Sequence, residues 1–150
     1  MEYEMKSEAK VRVLVFGTFD ILHAGHLHFL MDARGLGTEL WVVVARDRTV
    51  EKLKAQKPLN PEKKRLKFLQ SLWLVDHAVL GQDFFRDKYE IVEKIKPDVI
   101  ALGYDQHADP NKLAQDLQER SLKVSVFRLK PYKPELFKTS KIRALLKGLQ

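Results

Sequence analysis

Two histidines stand close together near the start of the chain, in the string Gly17-Thr18-Phe19-Asp20-Ile21-Leu22-His23-Ala24-Gly25-His26. Being three residues apart, His23 and His26 share one face if the segment is helical. Free backbone N–H groups at a helix start attract an anion, whereas the helix dipole disfavours a cationic histidine there unless an anion is bound. Gly17 permits a sharp turn or a close approach of backbone to ligand, and Gly25 keeps the helix start slim. We therefore predict a phosphate site.

A metal site is the alternative interpretation of two neighbouring histidines. No cysteine occurs in the chain, and no third histidine or nearby acidic cluster supports a structural zinc site. Asp20 has an alternative role of its own, because it could simply cap the helix.

The elements around this string alternate between strand and helix. A short apolar run at 11–16 predicts a buried strand, and apolar positions at helical spacing predict a helix over 24–34. Further strands are predicted at 40–45, 77–80, 99–102 and 124–129. Further helices are predicted at about 60–72, 87–96, 111–120 and 140–147, the first of them capped by Asn60 and started by Pro61. Between 46 and 60 we expect a Lys-rich connection with a short helical turn.

This alternation predicts an α/β fold: a three-layer, Rossmann-like, doubly wound parallel sheet of about five strands. We expect a single domain over 10–150, with 1–9 as a flexible tail. Ligands of such sheets bind beyond the carboxyl ends of the strands, and the histidine string follows the first of these ends.

Composition narrows the class of protein. The net charge is +7 over 150 residues, which favours polyanionic ligands, but no stacking-aromatic motif points to RNA or DNA. No apolar run is long enough to span a membrane, and the first ten residues lack the apolar core of a signal peptide. We therefore expect a cytoplasmic protein that binds small phosphorylated molecules, with neither nucleic acid nor membrane as a partner.

The histidine string resembles the signature of the cytidylyltransferase-like superfamily of nucleotidyltransferases. The resemblance implies that a nucleoside triphosphate binds at this turn and that a phosphorylated substrate displaces pyrophosphate. It also implies that the residues of the whole turn bind the nucleotide and that His23 and His26 act as catalytic hydrogen-bond donors. The residues of the turn concerned are Gly17, Thr18, Phe19, Asp20, His23, Ala24, Gly25 and His26.

Later segments resemble the same superfamily. Lys54 and Lys57 lie in a lysine-bearing loop after the second strand, and Arg65 lies on the following helix. The resemblance implies that both lysines could reach the phosphates; we assign Lys57 a catalytic role and Lys54 a role in binding. Each of these three residues has a surface role as its alternative.

Four more candidates for nucleotide binding lie near the later strand ends. Asp105 follows the fourth strand, where a carboxylate can hold a ribose hydroxyl, and Arg128 ends the fifth strand. Thr139 and Ser140 resemble the Ser/Thr-rich start of the superfamily's last helix, although Ser140 could be a simple N-cap.

Within the superfamily, the stretches 43–54, 75–81 and 96–106 are similar to archaeal FAD synthetases. This resemblance implies transfer of AMP from ATP to FMN, giving FAD and pyrophosphate. It also implies Mg²⁺ held mainly through the nucleotide phosphates, and a possible homodimer. The alternatives are a cytidylyltransferase acting on a small phosphoalcohol, such as glycerol 3-phosphate or phosphoethanolamine, and a nucleotide-binding domain without catalysis.

Overall fold

Five parallel strands form the centre of the computed structural model, which describes residues 9–83, 86–133, 135 and 139–148. The strands are β1 (Arg12–Gly17), β2 (Glu39–Val44), β3 (His77–Leu80), β4 (Val99–Leu102) and β5 (Ser125–Arg128). The helices are α1 (Ala24–Arg34), α2 (Asp47–Lys54), α3 (Glu62–Gln70), α4 (Glu90–Ile95), α5 (Pro110–Glu119) and α6 (Thr139–Gly148).

The strand order is β3-β2-β1-β4-β5, and every neighbouring pair is parallel. The chain moves outward from β1 through β2 to β3 and then returns to place β4 on the other side of β1. The direction of winding therefore reverses between β1 and β4, which is the position where sheets of this kind bind ligands. The predicted doubly wound sheet of about five strands is confirmed.

Each face of the sheet has its own apolar core, because side chains alternate between the two faces of a strand. On one face Val13 and Val15 pack with Leu30 of α1 and Leu69 of α3. On the other face Leu14 and Ile100 belong to a second cluster with buried side chains of α4 and α5. The sheet thus has a helical layer on both sides, as predicted.

Three details differ from expectation. The helical turn expected after β2 is a full eight-residue helix, α2. Asn60 does not cap α3: Pro61 is the N-cap and makes no side-chain cap bond, and the Asn60 side chain donates instead to the carbonyl of Asp20. Leu27 and Met31, which belong to the helically spaced apolar positions within 24–34, are 40% and 55% exposed.

Within the described residues, no helix is both long and apolar enough to cross a lipid bilayer. The expected tail at 1–9 lies almost wholly outside the described residues, which begin at residue 9.

Candidate active site

His23 and His26 hold each other in place at the start of α1. His23 is the N-cap residue, and its Nδ1 accepts a hydrogen bond from the backbone N–H of Gly25 at 3.1 Å. The Nδ1 of His26 accepts from the backbone N–H of His23 at 3.3 Å. The two rings lie 3.9 Å apart between centroids. This is a capping box in which imidazoles take the places of the usual hydroxyl and carboxylate.

This arrangement selects one tautomer for each ring. A nitrogen that accepts a hydrogen bond carries no proton, so the neutral imidazole has its proton on Nε2. Both histidines can therefore act as N–H donors while they remain neutral. Since α1 presents its free backbone N–H groups at the same end, the site is built to receive an anion.

The pKa values of both rings are lowered from the ordinary histidine value. Burial lowers the pKa of His26 to about 3, and the charges of His23 and Lys54 act in the same direction. Burial also lowers the pKa of His23, although the Asp105 carboxylate partly opposes this effect. The pair is therefore neutral near pH 7 in the absence of an anion.

Phe19 explains why position 17 is a glycine. A Cβ on Gly17 would come within 2.5 Å of the Phe19 ring, a distance at which the ring would have to move. Phe19 is 5% exposed and adopts a φ of 53°. Its ring also packs against His26, with 5.5 Å between centroids. The side chain of Phe19 thus supports a catalytic candidate from the core, which leaves only its backbone for a nucleotide contact.

Lys54, at the end of α2, and Asp105, in the loop after β4, approach the histidines from two other segments. The ammonium of Lys54, the last residue of α2, lies 3.4 Å from the Thr18 hydroxyl and lowers the pKa of His26. Asp105, after β4, is close enough to influence the pKa of His23. The structure therefore brings a cation and a carboxylate to the turn after β1, and their predicted contacts with nucleotide stay predictions.

Asp20 connects this turn to two distant segments. Its carboxylate accepts hydrogen bonds from the backbone N–H groups of Leu59 and Asn60, both at 2.8 Å. Arg143 of α6 forms an ion pair with it at 3.2 Å and also donates to the carbonyl of Lys57 at 3.0 Å. The Asp20 side chain is 5% exposed. It therefore organises the loop before α3 rather than capping α1.

Arg65 is completely buried beneath the site. It donates to the carbonyls of Thr18 and Ala45, each at 2.8 Å, and to that of Asn60 at 2.9 Å. Its Nη2 donates to the Asp47 carboxylate at 2.7 Å. Since the side chain has no exposed area, it offers a ligand no surface in this structure. We assign it the positioning of the loops that follow β1 and β2.

Arg128 holds the loop after β4 in a similar way. It donates to the carbonyls of Gly103 and Gln106 at 2.9 and 2.7 Å. Gln106 in turn accepts from the Gly103 N–H at 2.7 Å and donates to the Phe16 carbonyl at 3.0 Å. These bonds join the ends of β1 and β4 and fix the loop that carries Asp105.

The remaining candidates lie at the edge of the site or beyond it. Lys57 has an 84% exposed side chain whose ammonium lies 4.0 Å from Glu51. Thr139 begins α6, and its side chain is outside the described part; Ser140 is exposed. Their predicted contacts with nucleotide stay predictions. Sequence reasoning placed Gln106 in the loop after β4 but did not find that it bonds the ends of β1 and β4, nor the capping role of the histidine Nδ1 atoms, because neither follows from residue type alone.

A family model now gives the class of protein that this fold and site define. Residues 14–145 match the cytidylyltransferase-like family. A solved structure described as a lipopolysaccharide core biosynthesis protein from Thermoplasma volcanium superposes with a TM-score of 0.78 at 38% identity, covering 83% of this chain and all of that one. A pantoate-beta-alanine ligase from Francisella tularensis, at 12% identity and a TM-score of 0.58 over 95% of this chain and 71% of that one, shares the fold alone.

Curated relatives narrow the class further. A protein named FAD synthase from Pyrococcus abyssi is 47% identical over 92% of this chain and 93% of its own length. Another FAD synthase, from Aciduliprofundum boonei, is 52% identical over 81% of this chain and 80% of its length. The chain belongs to the cytidylyltransferase-like family and, within it, to the group of the archaeal FAD synthases.

Proposed function

We propose that the protein is an FMN adenylyltransferase, which transfers AMP from ATP to the phosphate of FMN and releases pyrophosphate. One observation carries this proposal: two mutually capped, neutral histidines at the start of α1, with Lys54 and Asp105 beside them. Support for the choice of ATP and FMN comes from the relatives named FAD synthase, which match at 42–52% identity.

The proposed reaction needs neither a protein nucleophile nor a general base. A phosphate monoester has a second pKa of about 6, so the FMN phosphate is largely ionised near neutral pH. One of its oxygens attacks the α-phosphorus of ATP in line. A new P–O bond forms while the bond between the α-phosphorus and the bridging oxygen breaks, and that oxygen leaves with pyrophosphate.

The protein's contribution is to position the reactants and to stabilise the growing negative charge. His23 and His26 donate Nε2–H to the phosphates, and the N-terminal amides of α1 add to them. Lys54 supplies a full positive charge at the same turn. Lys57 joins this set if its loop closes over the bound nucleotide, and Asp105 binds the ribose.

Mg²⁺ fits this site as an ion that arrives with the nucleotide. Among the described residues, no three histidine, aspartate or glutamate side chains are grouped closely enough to hold a metal ion. Magnesium commonly binds through substrate phosphates with one or two carboxylates, and Asp105 is a carboxylate close enough to the site to influence the pKa of His23. When bound, the ion would neutralise phosphate charge.

For the whole chain, we propose that residues 10–150 act as one catalytic domain with 1–9 as a tail. We further propose that the protein works in the cytoplasm, as a monomer or a homodimer, on dissolved nucleotides and without nucleic acid.

The test is an assay of ATP with FMN and Mg²⁺, in which FAD is followed by chromatography and pyrophosphate is measured separately. CTP in place of ATP, and riboflavin in place of FMN, are the substrate controls. FAD should form only with ATP and FMN. Pyrophosphate formation with CTP and a phosphoalcohol would instead support the cytidylyltransferase. No pyrophosphate with any nucleotide and acceptor would overturn the enzymatic proposal.

His26→Ala tests the catalytic assignment within that assay. Removing one donor to the developing charge should lower kcat by about 100- to 1000-fold. His77→Ala is the matched control, because His77 is the first residue of β3 and lies at the opposite, amino end of the sheet. It should keep wild-type activity. Full activity in His26→Ala would exclude the proposed mechanism.

A further inference from the structure

Strands β1 and β4 separate before either of them ends. Within the described residues, β1 pairs with β2 at all six of its positions but with β4 at two, of which the last is Leu14 with Ile100. Beyond that pair, β1 continues to Gly17 and β4 to Leu102. A gap therefore opens between the carboxyl halves of these two strands. It lies at the reversal of winding, where sheets of this kind bind ligands.

The directions of the backbone groups show which hydrogen bond the gap interrupts. Along a strand, successive residues direct their N–H and C=O groups to opposite sides in turn. The carbonyls of Val11 and Gly17 accept from N–H groups on the β2 side, so the carbonyl of Phe16 points toward β4. Continuing the register of the last pair would bring the Gly103 N–H to this carbonyl.

The side-chain amide of Gln106 is inserted between these two groups. Its Oε1 accepts from the Gly103 N–H at 2.7 Å, and its Nε2 donates to the Phe16 carbonyl at 3.0 Å. A glutamine amide offers the same kinds of donor and acceptor as a peptide group. It therefore satisfies both backbone groups while it holds the two strands apart by its own width. The gap is thus a built feature of the fold.

Gln106 also closes the turn that carries Asp105. Its backbone N–H donates to the Gly103 carbonyl at 3.2 Å, so Gln106 is bonded to both the N–H and the carbonyl of Gly103. Tyr104 and Asp105 are the two residues between them. Asp105 is exposed and close enough to His23 to influence its pKa. Its carboxylate is therefore open to a ligand bound at the histidines.

We propose that Gln106 is a positioning residue that makes the site select a ribose over a deoxyribose; this inference rests on the proposed function. A carboxylate holds a ribose hydroxyl only at hydrogen-bond distance and in a suitable direction. Gln106 fixes the separation between β1, which leads into the histidine turn, and the turn that carries Asp105. Without its amide, the triphosphate can still bind at the histidines, but Asp105 no longer meets the hydroxyl.

Gln106→Leu tests this role through kcat/KM for FAD formation with ATP, 2′-deoxy-ATP and 3′-deoxy-ATP. Wild type should use at least one deoxy analogue about tenfold less efficiently than ATP, a usual loss for a hydrogen bond to a charged group. Gln106→Leu should reduce this preference to about twofold and raise the KM for ATP, while the KM for FMN stays within about twofold. Asp105→Asn should lose the same preference, and the double variant should lose no more than Asp105→Asn alone.

Gln70→Leu is the matched control. The Gln70 amide donates to the Ala78 carbonyl of the edge strand β3 at 3.3 Å. The substitution thus removes a comparable bond between a side chain and a strand, but one that does not involve the Asp105 turn. Its preference for ATP over the deoxy analogues should equal that of wild type, whatever happens to its Tm. Gln106→Met, with an unbranched side chain of similar length, repeats the measurement if Gln106→Leu does not fold.

Retention of the wild-type preference by the Gln106 variant would overturn the inference, even with a lower Tm. Equal kcat/KM for all three nucleotides in wild type would also overturn it, because there would be no ribose contact to position. FAD formation by wild type from ATP and FMN tests the proposed function separately from these ratios.

Discussion

His26 shows how a single residue in this site depends on its surroundings. Its Nδ1 is engaged with the backbone N–H of His23, its ring packs on Phe19, and burial lowers its pKa to about 3. A neutral imidazole already carries one N–H, so it can donate a hydrogen bond to phosphate without first binding a proton. Its capacity to donate therefore does not vary with pH near neutrality. The cost is that the folded protein resists protonation of this ring more than the unfolded chain does.

Because the pKa of His26 differs between the folded protein and the unfolded chain, the free energy of unfolding should depend on pH. The pKa of His26 is about 3 in the folded state and 6.5 as the ordinary value. Between these values the unfolded chain binds more protons, so the contribution to stability is complete above pH 6.5 and is lost as the pH falls. One proton gives at most about 1.4 kcal/mol per pH unit. His26→Gln should therefore lose less Tm than wild type between pH 7.5 and 5.

Thermal unfolding without nucleotide measures this difference, with His28→Gln as the control. The His28 ring lies on the same helix but pairs with Asp32 at its surface. Parallel loss of Tm in wild type and His26→Gln would show that His26 takes up no excess protons on unfolding.

At the scale of elements, the sequence predicts the sheet better than the connections. Strands β3 and β4 lie at the predicted residues, since short apolar runs between turn signals allow few alternatives. The connections depend on long-range contacts. Asn60 has the residue type and position of a cap. Its backbone N–H and its side-chain amide instead donate hydrogen bonds to Asp20, 40 residues away. Likewise the burial of Arg65 follows from carbonyls at the ends of β1 and β2, which residue type cannot indicate.

The contacts of Asp20 predict unequal effects for its two kinds of partner. Asp20→Ala leaves the N–H groups of Leu59 and Asn60 without their acceptor, which costs about 1–3 kcal/mol. Arg143→Ala should destabilise less, because the Asp20 carboxylate keeps both of those amides. Urea unfolding measures the two variants, and Arg86→Ala, which removes an exposed pair with Glu90, should change the free energy of unfolding by under about 0.5 kcal/mol.

Equal destabilisation by Asp20→Ala and Arg143→Ala would mean that the ion pair, and not the amide contacts, holds the loop before α3. Limited proteolysis with trypsin locates the effect: cleavage after Lys54 should increase in Asp20→Ala.

At the scale of the whole molecule, the position of the site follows from the strand order, because the direction of winding reverses between β1 and β4. Arg65 joins the segments after β1 and β2, and Gln106 joins the ends of β1 and β4. The sequence predicts the order of strands and helices, and the histidine string marks the site. It does not predict these cross-connections, because each one joins segments that become neighbours only when the sheet is assembled.

A nucleotide that contacts several of these segments should stabilise the entire fold. At 100 times its Kd a ligand adds about 2.7 kcal/mol to the free energy of unfolding. For a chain of 150 residues, each kcal/mol raises Tm by about 2–4 °C, so saturating ATP with Mg²⁺ should raise Tm by about 5–11 °C. CTP at the same concentration should give a clearly smaller shift, and His26→Ala should reduce the shift with ATP. A larger shift with CTP would favour a cytidylyltransferase, since the same histidines serve either triphosphate and only the base distinguishes them.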